Sequence, residues 1–156
     1  MDKSLVTETA DDLIYIAESD VMAFNELLAE TYYPADRKYN IICFHAAQAV
    51  EKFLKGFIIN NNKTVKKIHD LDTLLKSAME IDNSFSKILD NCLLLNEYGP
   101  KIKYNTRNQI TKQNMDDIIK SLETICNFPP IKTMRDSFGK KHSYEIAAEI
   151  ITRKHP

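Results

Sequence analysis

Four polar side chains on one helical stretch carry the first chemical hint. His45, Gln48, Lys52 and Lys55 recur at spacings of three, four and three, which aligns them in one stripe of a 3.6-residue helix. Such a stripe is either a solvated face or a polar surface at a ligand groove or dimer contact. Glu51 and Lys55 stand four residues apart in the favourable order for an ion pair. Asp20 is the odd residue of the preceding segment, because it falls among Ile16, Ala17, Phe24 and Leu27. An acid in that position must be paired, or its pKa must rise. Lys52 or His45 is the natural partner, so Asp20 is either half of a buried pair or a ligand-binding acid. Lys101, Lys103, Arg107 and Lys112 form a basic stretch that also holds Tyr104 and ends where a helix starts at Asn114. Four cations beside a helix N-terminus can converge on a phosphate, and a tyrosine ring can stack a base. The competing reading is a hydrated loop.

Helices must position these groups. From about Thr9 to Glu30, Leu13, Ile16, Ala17, Phe24, Leu27 and Leu28 share one side, and Asp11, Asp12, Glu18, Asn25, Glu26 and Glu30 the other. Pro34 ends that pattern. From about Arg37 to Asn60, Ile42, Ala46, Ala49, Val50, Phe53, Leu54 and Phe57 make an apolar arc wide enough for more than one neighbour. Ile41 and Phe44 flank the polar stripe, which predicts a homodimer. A short helix is expected over Asp70–Met79, with Asp70 as its N-cap. Further helices are expected over Ser84–Glu97, ended by Gly99-Pro100, and over Asn114–Cys126, ended by Pro129-Pro130. The chain from Ile131 is less regular, and Ser143–Lys154 reads as a last short helix. The expected fold is all-α: an antiparallel up-and-down bundle of four long helices plus short ones. Residues 1–130 form the bundle, and 131–156 a C-terminal extension.

Composition removes several function classes. The 156 residues suit one domain, and a net charge of −1 excludes a clamp that holds nucleic acid by overall charge. The three glycines, Gly56, Gly99 and Gly139, form neither a phosphate loop nor a dinucleotide fingerprint. Cys43, Cys92 and Cys126 lie far apart in apolar stretches, as buried thiols do, so neither a structural zinc nor a disulfide framework is expected. No cofactor is implied. No apolar run is long enough to span a bilayer, and the N-terminal residues lack a signal-peptide core, so a cytoplasmic protein is expected.

The segment Phe44-His45-Ala46-Ala47-Gln48-Ala49-Val50-Glu51-Lys52-Phe53-Leu54-Lys55, followed by His69-Asp70-Leu71 and Leu74-Leu75, resembles the HEPN family. That family comprises small helical bundles of higher eukaryotes and prokaryotes associated with nucleotide binding, and Asp20 matches its acidic first-helix position. The resemblance covers about residues 10–126. It implies a homodimeric bundle, a frequent association with a minimal nucleotidyltransferase as paired subunits or a toxin–antitoxin pair, and a nucleotide or RNA ligand. It gives His69 a role in shaping a groove near Lys52, and Lys103-Tyr104-Asn105 stands where relatives often carry Arg-Tyr-Pro.

Some members of that family are metal-independent ribonucleases that use an Arg followed by a His. A histidine can move protons at the ribose 2′-OH, and an arginine can neutralise the strained phosphate. Arg107-Asn108 stands where this motif is expected, but the position for histidine holds Lys112. A lysine with a pKa of about 10.4 is a poor general base. Arg135 and His142 give a second match, past Pro130. The expectation is therefore a nucleotide- or RNA-binding module with little or no catalysis. A ribonuclease toxin and a purely structural interaction module are the alternatives.

Overall fold

The computed structural model describes residues 2–30, 38–99, 110–144, 146 and 150. They form helices α1 (Ala10–Glu30), α2 (Lys38–Asn60), α3 (Leu71–Ile81), α4 (Leu89–Asn96), α5 (Lys112–Asn127) and α6 (Pro129–His142), with a 3-10 segment at Asn83–Ile88. The described residues contain no strand, only an isolated bridge between Leu5 and Lys66. The all-helical class read from periodicity is what the chain adopts. No helix among the described residues is long and apolar enough to cross a membrane.

Helices α1 and α2 make the most extensive contact, and they run antiparallel: Asp20 meets His45, and Ile14 meets Gly56. The buried line of α1 is Ile14, Ala17, Val21, Phe24 and Leu28, alternating in steps of three and four. This differs from the expected arc in a specific way. Ile16 is 38% exposed, and Asp20 lies at the rim facing α2 rather than within the arc. Glu18 and Asn25, assigned to the wet side by sequence, are buried. For Glu18 the cause is a further helix, α6, whose Arg135 pairs with it.

Two other elements depart from expectation. Ser84–Glu97 is not one helix, because its first half winds as a 3-10 segment capped by Asp82, whose Oδ1 accepts from Ser84 N at 3.0 Å. Tighter winding aligns residues three apart, and so Phe85 and Ile88 enter the core together. Phe85 packs at 4.5 Å from Phe57 and 4.9 Å from Phe128, measured between ring centroids. The Pro129-Pro130 pair ends α5 as expected, but it also starts α6. The first helical positions need no N–H donor and suit the fixed φ of proline. The helix expected over Ser143–Lys154 falls largely outside the described residues. Its first residue is instead a left-handed cap (φ 56°) that closes α6. Ile131 and Met134 of α6 join the same core as α1, α2 and α5.

Cys43, Cys92 and Cys126 are buried and free, as expected. Loss of solvent pushes the Cys92 and Cys126 thiols up to about 12, so they stay protonated and inert.

The α1–α2 approach has a glycine at its closest point. A Cβ on Gly56 would lie 2.8 Å from Ile14 Cδ1, within the packed interface. A terminal methyl can shift for an alanine, but a longer side chain must part the helices. Gly56→Leu is expected to cost about 1–3 kcal/mol in urea unfolding. An unchanged midpoint would mean that the two helices are not tightly seated there.

Candidate functional site

The chemistry concentrates on α2 and the loop that follows it. Glu51 is 1% exposed, yet it is charged, because three cationic or hydrogen-donating groups surround it. Its Oε2 accepts from Lys52 Nζ at 2.5 Å and from Lys55 Nζ at 3.1 Å. Its Oε1 lies 2.8 Å from His69 Nδ1. Burial pushes this carboxyl up, but the Lys52 hydrogen bond, the two ammonium charges and the His69 hydrogen bond outweigh it, so its pKa ends below the ordinary value. The ionised carboxylate can only accept, which puts the imidazole proton on Nδ1 and turns Nε2 outward.

Exposure grades across the cluster. The Lys55 side chain is 5% exposed, Lys52 19% and His69 59%. Lys55 therefore serves as the buried counter-ion of Glu51, which corrects its assignment to an outward stripe. Lys52 and His69 form the outer rim and carry surplus positive character. His45 and Gln48 are half-buried further up α2. His45 Nδ1 lies 2.8 Å from Asp20 Oδ1. Of the two partners offered by sequence, His45 takes Asp20, and Lys52 is committed to Glu51.

Asp70 caps α3 as expected: Oδ2 accepts from Thr73 N at 3.2 Å and from Thr73 Oγ1 at 2.5 Å. Its Oδ1 accepts from Asn96 Nδ2 at 2.6 Å, and Asn96 Oδ1 accepts from Leu71 N at 2.8 Å. These bonds, that to Thr73 foremost, hold its carboxyl below the usual range. The adjacent His69 does more than end a loop. It ties the loop to the middle of α2.

The Arg135/His142 pair meets a different fate. Seven residues on a continuous helix put both on one side of α6, roughly 10 Å apart along the axis. An acid of α1 holds each of them. Arg135 Nε and Nη2 donate to Glu18 Oε1 and Oε2 at 2.5 and 3.0 Å, and Nη1 donates to the Cys126 carbonyl at 3.2 Å. The guanidinium also lies 5.4 Å from the centre of the Phe53 ring. Arg135 is 3% exposed, so this fork faces the interior. His142 Nε2 lies 2.5 Å from Asp11 Oδ2, close enough for an ion pair but not aligned as a hydrogen bond, and its ring stacks on Phe138 and Tyr144. The two pairs are rungs of an antiparallel ladder, in which rising numbers on α6 meet falling numbers on α1. The chain then folds back over Gly139, where an added Cβ would fall 2.0 Å from Ile146 Cδ1.

The remaining candidates, Lys101, Lys103, Tyr104 and Arg107, lie outside the described residues. Lys112 opens α5 as an exposed residue behind a capping box of Thr111 and Asn114. Among the described residues, no group of His, Cys, Asp and Glu is arranged to hold a metal ion. Sequence reasoning passed over Glu51 and Glu18 as site members. The signal for Glu51 was present: its position beside the apolar arc, with Lys52 and Lys55 one and four residues further on.

The charged second helix, its histidine-bearing loop and the helical setting define a chain of the small-bundle class. The HEPN domain family model matches residues 10–132, and the chain belongs to that family. No curated protein and no solved structure matches it. The match ends within α6, so Arg135 and His142 lie beyond it.

Acid stability tests the Glu51 cluster. A carboxyl whose pKa is lowered by folding stabilises the fold above its ordinary pKa near 4.5, and this contribution is lost as pH falls through the lower folded value. Glu51→Gln is expected to cost about 3 kcal/mol at neutral pH, because Lys55 stays buried without its counter-ion. The gap from the parent should narrow below pH 4.5. Urea unfolding at pH 7 and pH 3.5 checks this. An equal gap at both values would remove Glu51 ionisation from the account.

Proposed function

We propose that this chain is a non-catalytic HEPN module that binds a nucleotide or RNA, acts as a homodimer in the cytoplasm and pairs with a minimal nucleotidyltransferase. The supporting fold is an up-and-down arrangement of its long helices. One observation carries the binding reading: a buried glutamate organises two lysines and a histidine, yet neutralises only one unit of their charge. A partly desolvated surplus of positive charge favours an anionic ligand, and phosphate is the anion common to nucleotides and RNA. His45 and Gln48 extend the same face of α2 toward Asp20.

The non-catalytic reading draws on where the reactive types sit. The Arg135 fork is spent on Glu18 in the interior, and His142 on Asp11. Neither is poised to meet a phosphodiester. Incubation with labelled RNA in EDTA is expected to yield no 2′,3′-cyclic ends above background, for the parent and for Arg107→Ala alike. Robust cleavage abolished by Arg107→Ala would make the ribonuclease toxin the correct reading.

Ile41 supports the dimer. It is 52% exposed on α2, one turn before the half-buried Phe44. An isoleucine and a phenylalanine at the edge of a polar stripe suit a self-complementary contact. Sedimentation at micromolar concentration is expected to give twice the 18.0 kDa chain mass, and Ile41→Asp to shift it toward one. A parent sedimenting at 18.0 kDa would refute the dimer.

A further inference from the structure

The loop between α2 and α3 carries charge that the reading above leaves unused. From Lys52 to His69 the chain holds Lys52, Lys55, Lys63, Lys66 and Lys67 and no acidic residue, within a protein of net charge −1. The loop has a defined path. Asn62 turns the chain in the left-handed region at φ 62°, and Lys63 N donates to Ile58 O at 3.2 Å. The N-terminal segment then clamps it: Val6 N donates to Val65 O at 2.9 Å, and Lys67 N to Ser4 O at 2.8 Å. Val65 is buried and Ile68 half-buried, whereas Lys63, Lys66, Lys67 and His69 are exposed. Because His69 bonds to Glu51, the loop returns along α2 from its end to its middle. Ten helical residues make that return roughly 15 Å long.

We propose that this returning loop, together with Lys52, is a track for the phosphodiester backbone of a single-stranded nucleic acid. The ligand is then a strand rather than a mononucleotide. The inference rests on the nucleotide- or RNA-binding reading and names its substrate class. Its basis is spacing: cations spread over about 15 Å exceed the reach of one phosphate but suit several in series. The loop is pinned by backbone hydrogen bonds, so binding need not order it. Two ionised acids stand beside the loop, Asp2 near Lys66, which accepts from Ser4 N and Oγ, and Asp70, held by Thr73 and Asn96; Lys52 and the three loop lysines outnumber them. The exposed side chains from Asn61 to His69 are Asn, Lys, Thr and His, with no large apolar group among them. A protein interface normally has an apolar or aromatic centre and is depleted in lysine, so a strand fits better than an acidic protein. Each exposed lysine contributes little alone, and only contact with successive phosphates gives useful affinity.

The test uses the full chain with a labelled twelve-nucleotide RNA, the matching DNA, AMP and polyglutamate, over a salt series. The variant carries Lys63→Ala, Lys66→Ala and Lys67→Ala together, with circular dichroism to confirm the helical fold. The expected result is strand binding about ten-fold weaker in the variant and a salt slope smaller by about two, near 0.7 per phosphate contact. RNA and DNA should suffer alike, and AMP binding should not change. Strand affinity and slope unchanged in the variant would overturn the track but leave nucleotide binding standing, as would a parent that binds AMP and no strand. Polyglutamate competing as well as RNA would overturn it in favour of an acidic protein partner. A parent that binds neither strand nor AMP would remove the binding reading and the track together.

Discussion

A charge removed from water must meet its opposite within hydrogen-bond distance, and this constraint sets how the helices of this protein lie on one another. Four carboxylates on α1 and α2 are matched by cationic or imidazole groups. Asp11 and Glu18 take His142 and Arg135 from α6, Asp20 takes His45 from α2, and Glu51 takes Lys52, Lys55 and His69. Apolar packing drives the collapse, and burying one Phe or Leu side chain is worth roughly 1.5–3 kcal/mol. Hydrophobic contact is tolerant of sliding, however, and ion pairs are not. A one-residue slip of α6 along α1 would leave Glu18 and Arg135 buried and unpaired, at a cost of several kcal/mol.

The two kinds of pairing have different consequences. The Glu18–Arg135 rung of the α1–α6 ladder lies in the interior. Arg135 uses its fork on Glu18, on the Cys126 carbonyl and on the face of Phe53, which leaves it a structural bolt. The Glu51 cluster is built on a gradient instead. Lys55 satisfies the carboxylate from inside, and Lys52 and His69 are held at the rim by the same two oxygens. A buried acid thereby places cations at a surface in fixed positions, at less entropic cost than free lysines would incur on binding.

The extent of the sequence's legibility follows from the range of each interaction. Periodicity located α1, α2, α3 and α5 to within a few residues, because an amphipathic helix writes its buried side into every turn. It missed α6, whose mixed composition and opening Pro-Pro look like a break, and it missed the 3-10 winding at Asn83–Ile88. Asp20 was legible as a residue needing a partner, and His45 was one of two candidates. Glu18 was not, because Arg135 is 117 residues away and no local pattern joins them.

The sequence by itself determined the helical class, the HEPN resemblance and the burial of the three thiols. Each is encoded in neighbours three or four positions apart, or in a contiguous motif. The tertiary structure decided which charges are spent and which remain available. Arg135 and His142 form a plausible catalytic pair on paper, and only the approach of α1 shows both engaged by acids. Lys52 and Lys55 look equivalent along one stripe, yet in the bundle one is 19% exposed and the other 5%. Local spacing fixes which residues share a helix face, whereas desolvation and long-range pairing, which belong to the assembled bundle, fix what those residues can still do.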